Sequence, residues 1–130
     1  MQVLGIDVGG TKVEIASVVD GRALEPQQTP TELSDSAALL DGIEELARRV
    51  IDHDGAPAAI GVGVPSQIDF ATGTVISSVN IPLEGVPLRD ELQKRFGVPV
   101  FVDNDANVAA LAEARTIDAK NLLMLTLGTG

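Results

Sequence analysis

Alternating apolar and polar positions at the start of the chain predict a set of antiparallel strands. Residues 3–8 are almost continuously apolar, as in a short buried strand, and Gly9-Gly10 interrupts them. Residues 12–19 then alternate between two faces, so we expect a hairpin across the two glycines. Asp20-Gly21 is a further turn signal, and residues 23–30 predict a third strand. The chain is therefore expected to open with a three-stranded antiparallel meander.

A helix and a buried strand are predicted next. From Ala38 to Ile51 the apolar residues recur with helical spacing, and Ser34 is placed to cap the start of this helix. His53-Asp54-Gly55 ends the pattern. Residues 58–64 are apolar throughout, which is typical of a strand covered on both faces. A helix followed by such a strand indicates a parallel crossover.

The middle of the chain predicts a small hairpin and a second helix. Residues 68–70 and 74–77 flank the turn Ala71-Thr72-Gly73, and residues 88–96 have helical spacing. Residues 98–102 then predict another buried strand.

The last part of the chain predicts a third helix and a final strand. Asp103 to Asp105 supply capping residues for a helix that runs to about Arg115, and residues 121–127 are apolar. The order of elements indicates an α/β domain with a mixed sheet and helices packed on it. We place a domain boundary near residues 116–120. Residues 1–118 then form one domain, and residues 119–130 begin a second with a strand and a glycine turn.

Composition narrows the possible functions. The formal net charge is -10 with nine Lys and Arg residues, so the basic footprint of a nucleic-acid-binding protein is missing and no nucleic acid partner is expected. No apolar run approaches the roughly 18 residues of a membrane helix, and Asp7 interrupts the first apolar stretch, so neither membrane nor signal peptide is expected. The absence of cysteine excludes disulfides and thiolate metal sites and fits a cytoplasmic location.

The segment Gly5–Lys12 can be interpreted as a plain hairpin or as a phosphate site. Paired Gly9 and Gly10 let a backbone approach phosphate closely and turn its N–H groups toward it. Thr11 adds a hydroxyl donor and Lys12 a cation. Asp7 ends the buried strand, where its carboxylate can hold Mg²⁺ through water.

A second polar segment, Val102–Asn107, lies where a strand is predicted to end and a helix to begin. Such positions present ligands in open sheets, although helix capping alone would also explain one of these residues. Asn104 and Asp105 could grip neighbouring sugar hydroxyls, and a helix N-terminus would keep Asp105 ionised. Phosphoryl transfer tolerates a weak base, because its loose transition state needs mainly positioning and charge stabilisation.

A third glycine-containing segment, Gly61–Ser66, resembles a dinucleotide fingerprint only superficially. Ser66 stands where the third glycine should be, Pro65 intrudes, and a hairpin is predicted where the fingerprint needs a helix. We interpret the segment as a structural loop or as a loop that lines a sugar pocket.

Together these segments resemble the sugar kinases of the ROK family (repressor, open reading frame, kinase), which belong to the actin, hexokinase and heat-shock ATPase superfamily. The matching segments are residues 5–12, 61–65 with 68, 69 and 73, 80–88, 104–107 and 127–130. The resemblance implies a ribonuclease H-like fold. Its mixed five-stranded sheet would combine the three-stranded meander with parallel strands, as the N-terminal half of a two-domain actin-like ATPase.

The resemblance also implies a reaction, the transfer of the ATP γ-phosphoryl to a hexose hydroxyl, expected to be the 6-OH of glucose. Asp105 stands in the position of the catalytic base. The implied sugar-binding residues are Asn104, Asp105, Asn80 and Pro65. The implied phosphate-binding residues are Gly9, Gly10, Thr11, Lys12, Gly128, Thr129 and Gly130. Asp7 would hold Mg²⁺.

The implied ligands are a small-molecule sugar, ATP and Mg²⁺. In the family a zinc site, a further sugar motif and the adenosine pocket lie in the second half of the fold, so no zinc is expected in this chain. We expect a full-length parent to form a homodimer and the 130-residue chain by itself to be inactive.

Two alternatives stay open at this point. One is a sugar-sensing transcriptional regulator of the same family, in which a helix-turn-helix precedes the kinase-like part, whereas here a strand is expected from residue 2. The other is a non-catalytic sugar- or nucleotide-binding module, in which Asn104 and Asp105 would have no catalytic role.

Overall fold

The computed structural model describes residues 1–103, which form eight strands and two helices. The strands are β1 (Gln2–Val8), β2 (Lys12–Val19), β3 (Arg22–Ala23), β4 (Gln27–Pro30), β5 (Ala59–Gly63), β6 (Gln67–Asp69), β7 (Thr74–Ser77) and β8 (Val100–Asp103). The helices are α1 (Ser36–Asp54) and α2 (Leu88–Phe96). In this part of the chain neither helix is long and apolar enough to cross a membrane. The predicted third helix, the strand 121–127 and the domain boundary lie outside the described residues.

The main sheet is mixed, as the sequence predicted. Its strand order is β3-β2-β1-β5-β8, and β4 pairs with β2 on the same edge as β3. Strands β1 and β2 form the antiparallel hairpin, with Val8 opposite Val13. Strands β5 and β8 continue the sheet in parallel to β1, and helices α1 and α2 lie in the connections between them.

The predicted third strand of the meander is interrupted. Arg22 and Ala23 pair with the far end of β2, and residues 27–30 pair with its first half. Leu24 still donates its N–H to the carbonyl of Ser17, but the strand breaks before Gln27. Pro26 lies in this break. Because proline has no N–H to donate to the ladder, sheets accept it only at an edge strand, at the first residue of a strand or in an irregularity such as a bulge.

The larger core lies between the sheet and the two helices. Alternate residues of the strands point toward the helices, and the apolar stripe of α1 packs against them. The fully buried members include Leu4, Ile6, Ile15, Leu39, Ile43, Leu46, Ile60, Leu83, Leu88 and Leu92. The opposite face of the sheet carries a smaller cluster of Val3, Ala16, Val18 and Ala59, with Phe101 packed against it.

Helix α1 begins one residue later than a cap at Ser34 would require. Asp35 is the N-cap, in extended conformation, and its side chain accepts a hydrogen bond of 2.7 Å from the N–H of Ala38. The helix ends at Asp54 as predicted, with Gly55 at φ 105° as its C-cap. The prediction of the cap was therefore wrong by one residue, whereas the prediction of the end was confirmed.

Candidate functional site

The carboxyl ends of three parallel strands form one edge of the sheet. Asp7 of β1 pairs with Gly63 of β5, and Gly63 pairs with Asp103 of β8, so the three residues form one row. Neighbouring strands lie about 4.8 Å apart. The chain therefore leaves β1, β5 and β8 at the same edge, where open α/β sheets present their ligand sites.

The first segment at this edge is the turn between β1 and β2, residues 9–11. The N–H of Gly9 donates to the carbonyl of Lys12 over 2.9 Å and closes the turn. Thr31, just after β4, braces it from the side: its hydroxyl donates to the carbonyl of Gly9 over 2.8 Å, and its N–H donates to the carbonyl of Thr11 over 2.9 Å. The turn is thus held by the start of β2 and by the residue that follows β4.

The turn presents a set of hydrogen-bond donors. Within residues 1–103, the N–H groups of Gly10 and Thr11 donate to no other group, and both residues are exposed. The hydroxyl of Thr11 and the ammonium of Lys12 lie beside them in sequence. Such neighbouring amides with a cation suit an anion. The N–H of Gly9, by contrast, donates within the turn, so of the two glycine amides only that of Gly10 is left available to a ligand within residues 1–103.

Neither glycine of this turn is needed for its backbone handedness, and only Gly9 is in a crowded position. Neither Gly9 nor Gly10 has a positive φ. A β-carbon on Gly9 would lie 3.0 Å from the carbonyl oxygen of Lys12, so a side chain there would push the backbone of Lys12 away by a few tenths of an ångström. The close approach of the two strand ends therefore favours glycine at position 9.

Asn80 lies against this turn. A β-carbon placed on Gly10 would be 3.6 Å from the β-carbon of Asn80, an ordinary contact distance. Asn80 is exposed, so its amide is open to a ligand. The structure thus brings together one residue predicted for phosphate and one predicted for sugar, although they are far apart in sequence.

Pro65 follows β5 at the same edge, on an exposed loop. The loop is tied to its neighbours by Val64, which donates its N–H to the carbonyl of Asp103 over 3.0 Å. It is also tied by the buried Ser66, whose hydroxyl donates to that of Ser78 over 2.9 Å. This last bond connects the Pro65 loop to the segment that leads to Asn80. The same bond gives the buried Ser66 hydroxyl its partner.

Asp7 and Glu14 are direct partners in the β1–β2 register, so their side chains lie on the same face of the sheet. Asp7 is partly buried, and Glu14 is 14% exposed with Lys12 Nζ 3.5 Å from its Oε2. Mg²⁺ prefers hard oxygen ligands and usually keeps several waters beside one or two carboxylates. A carboxylate in the place of Asp7, beside a turn of free amides, fits that preference.

The remaining predicted residues lie outside the described part of the chain. They are Asn104, Asp105, Gly128, Thr129 and Gly130. The chain enters the first two directly from Asp103, the last residue of β8, which stands at the edge just described.

Three residues that contribute to this edge were not predicted from the sequence to do so. Thr31 braces the turn, Ser66 links two loops, and Glu14 contacts Lys12. The i, i+2 spacing of Lys12 and Glu14 on a strand was a usable signal, because it places both on one face. Thr31 and Ser66 gave no local signal, since their partners are 22 and 12 positions away in sequence.

The architecture is similar to that of solved ROK family proteins. A ROK family glucokinase from Streptomyces griseus, solved with glucose and AMPPNP, superposes with a TM-score of 0.75 at 30% identity, covering 82% of this chain and 34% of that one. A ROK family transcriptional regulator, described as a homologue of the E. coli MLC protein, superposes with a TM-score of 0.71 at 26% identity, covering 92% and 32%. The structure therefore has the α/β fold of the actin-like ROK sugar kinases.

Sequence comparison gives the family itself. The ROK family model matches residues 3–130, and the chain belongs to the ROK family. A glucokinase from Halalkalibacterium halodurans is 38% identical over 98% of this chain and 41% of its own length. An N-acetyl-D-glucosamine kinase from Vibrio parahaemolyticus is 37% identical over 97% of this chain and 43% of its own length. The chain thus spans about two-fifths of the length of these relatives.

Proposed function

We propose that this chain supplies the phosphate turn and part of the sugar side of a kinase that transfers the ATP γ-phosphoryl to a hexose hydroxyl. Glucose, with its 6-OH as acceptor, is the proposed substrate. N-acetylglucosamine is the main competitor, because one similar relative is named a kinase of that sugar. The proposed full-length enzyme acts in the cytoplasm and forms a homodimer.

One observation carries this proposal: the β-carbon of Asn80 lies 3.6 Å from the place where a β-carbon on Gly10 would stand, at the edge where β8 ends. A phosphate held by the turn and a sugar held by the Asn80 segment would therefore be neighbours. Phosphoryl transfer needs this proximity above all, because its loose transition state depends on positioning and electrostatic stabilisation.

The proposed roles follow from the chemistry of each group. The amides of Gly10 and Thr11, the Thr11 hydroxyl and the Lys12 ammonium bind phosphate oxygens and offset their charge. Gly128, Thr129 and Gly130 would do the same from a second turn. Asn104 and Asn80 hold sugar hydroxyls, Pro65 lines that side, and Asp105 accepts the proton of the attacking hydroxyl. Mg²⁺, held by Asp7 through water, would neutralise charge on the phosphates.

The base is tested by Asp105→Asn in the longest form of the protein that its gene encodes. We expect turnover to fall by about 10²- to 10⁴-fold, the usual worth of general base catalysis. The matched control is Asp52→Asn on the exposed side of α1, which should leave turnover unchanged. Turnover of Asp105→Asn equal to that of the unsubstituted protein would overturn the assignment. A panel of glucose, N-acetylglucosamine and mannose in the same assay identifies the substrate.

A sugar-sensing regulator is the second candidate, and the likeness to a ROK transcriptional regulator favours it. Such a protein would bind sugar without turnover. Isothermal titration with the same sugars, run beside an assay of ADP release, separates the two functions. Sugar binding without ADP release in the longest form of the protein would favour the regulator.

A further inference from the structure

Glu14 is a charged residue that the proposed reaction leaves without a role. It lies on β2 opposite Asp7, and 14% of its side chain is exposed. Its Oε2 atom is fully buried and accepts no hydrogen bond from the described residues. An ionised carboxylate in such a place is costly unless another charge compensates it.

Lys12 supplies that compensating charge. Its Nζ lies 3.5 Å from Glu14 Oε2, and 41% of its side chain is exposed. Lys12 and Glu14 are alternate residues of one strand, so both side chains lie on the face that also carries Asp7. A lysine ammonium on a four-carbon stem is otherwise mobile and readily turns to solvent. The ion pair holds the ammonium beside Glu14, near the start of β2, which directly follows the Gly10–Thr11 turn.

We propose that Glu14 is a positioning residue, which holds the Lys12 ammonium beside the Gly10–Thr11 amides so that it meets an incoming phosphate chain. This inference rests on the proposed phosphate role of the turn. It makes a counterintuitive prediction. A carboxylate near an anion site should repel the anion, so its removal would strengthen binding if charge alone mattered. If Glu14 acts by holding Lys12, its removal weakens binding.

The test is isothermal titration of inorganic tripolyphosphate into the protein and its Glu14→Gln variant. Glutamine keeps the shape of the side chain and removes its charge. We expect affinity to fall by about 3- to 30-fold, which lies within the range of coupling between contacting residues. The melting temperature should stay within a few degrees. The matched control is Glu91→Gln, which removes an exposed ion pair with Lys94 on α2 and should not change affinity.

A double-mutant cycle separates positioning from a general structural effect. Lys12→Met should weaken tripolyphosphate binding, and adding Glu14→Gln to it should cause no further loss. Unchanged or tighter binding by Glu14→Gln, additive losses in the double variant, or no binding by the unsubstituted protein would each overturn the inference.

The kinase reaction provides a second readout. In the longest form of the protein, Glu14→Gln should raise the KM for ATP and leave the KM for sugar unchanged. If the Glu14→Gln variant is an active kinase whose KM for ATP is unaltered, the role of Glu14 is contradicted and the proposed function is not. A protein that binds tripolyphosphate as predicted but phosphorylates no sugar contradicts the proposed function and leaves the role of Glu14 standing.

Discussion

Ser17 is a fully buried hydroxyl on β2, and a single partner explains why it is tolerated there. It donates a hydrogen bond of 2.8 Å to Asp54 Oδ2 at the end of α1, and the other carboxylate oxygen of Asp54 lies 2.7 Å from His53 Nδ1. These bonds hold the pKa of Asp54 below its ordinary value, first through His53 and then through Ser17. The end of α1 is therefore fixed to the sheet by a charged group.

Asp54→Ala should lower the free energy of unfolding by about 1–3 kcal/mol at pH 7, because it leaves the buried Ser17 hydroxyl without a partner. The loss should depend on pH. Because the folded-state pKa of Asp54 is lowered, its ionised form contributes fully above the unfolded pKa of about 4. That contribution disappears as the pH falls through the folded value. Urea unfolding between pH 7 and 3 measures the difference.

Two variants control this experiment. Asp52→Ala, an exposed change on the same turn of the helix, should have almost no effect. Ser17→Ala combined with Asp54→Ala should cost less than Asp54→Ala alone, because no buried donor then remains unpaired. A difference between the unsubstituted protein and Asp54→Ala that stays constant down to pH 3 would disprove the charge dependence.

Helix α1 illustrates how an element is fixed by its ends and by one neighbour. Asp35 caps its start, and Arg95 of α2 reaches back to it with hydrogen bonds of 2.9 Å to both Asp41 and Glu44. Arg48 adds a bond of 2.6 Å to the carbonyl of Arg95. Because helices of this length draw most of their stability from packing, these polar contacts orient a helix that its apolar stripe already holds.

Asp35→Ala should lower the free energy of unfolding by about 0.5–2 kcal/mol, the usual cost of losing an N-cap. The neighbouring Ser34→Ala should change it by less than about 0.5 kcal/mol, because Ser34 is exposed and does not cap the helix. Chemical denaturation of the two variants measures both values. A larger loss for Ser34→Ala than for Asp35→Ala would place the cap where the sequence pattern first suggested it.

Most elements of residues 1–103 were predictable because their signals are local. The spacing of apolar residues gave α2 over Leu88–Phe96 and the small hairpin to within one residue at each strand. The cap of α1 was not predictable, since Ser34 and Asp35 are both capping types and backbone geometry decides between them. Nor was the break in the third strand, because residues 24–28 form no apolar pattern that pairing could reveal.

At the scale of the molecule, parallel pairing of β1, β5 and β8 brings the described residues of the predicted site to one edge. The turn was predicted from its residue types and the Asn80 segment from the family resemblance, and their proximity is a consequence of the fold. The bracing of the turn by Thr31 was not predictable, because it depends on strand pairing over a long loop. The roles of Asn104, Asp105 and the second glycine turn stay predictions.

The central claim is that sugar and phosphate bind side by side at the edge formed by the carboxyl ends of β1, β5 and β8. Its most direct test is a crystal structure of the longest form of the protein with glucose and AMPPNP. We expect phosphate oxygens to lie within hydrogen-bonding distance of the Gly10 and Thr11 amides. We also expect the sugar to contact Asn80 and to present its 6-OH to the Asp105 carboxylate. A sugar or a phosphate chain bound at the opposite edge of the sheet, away from Gly10 and Asn80, would contradict it.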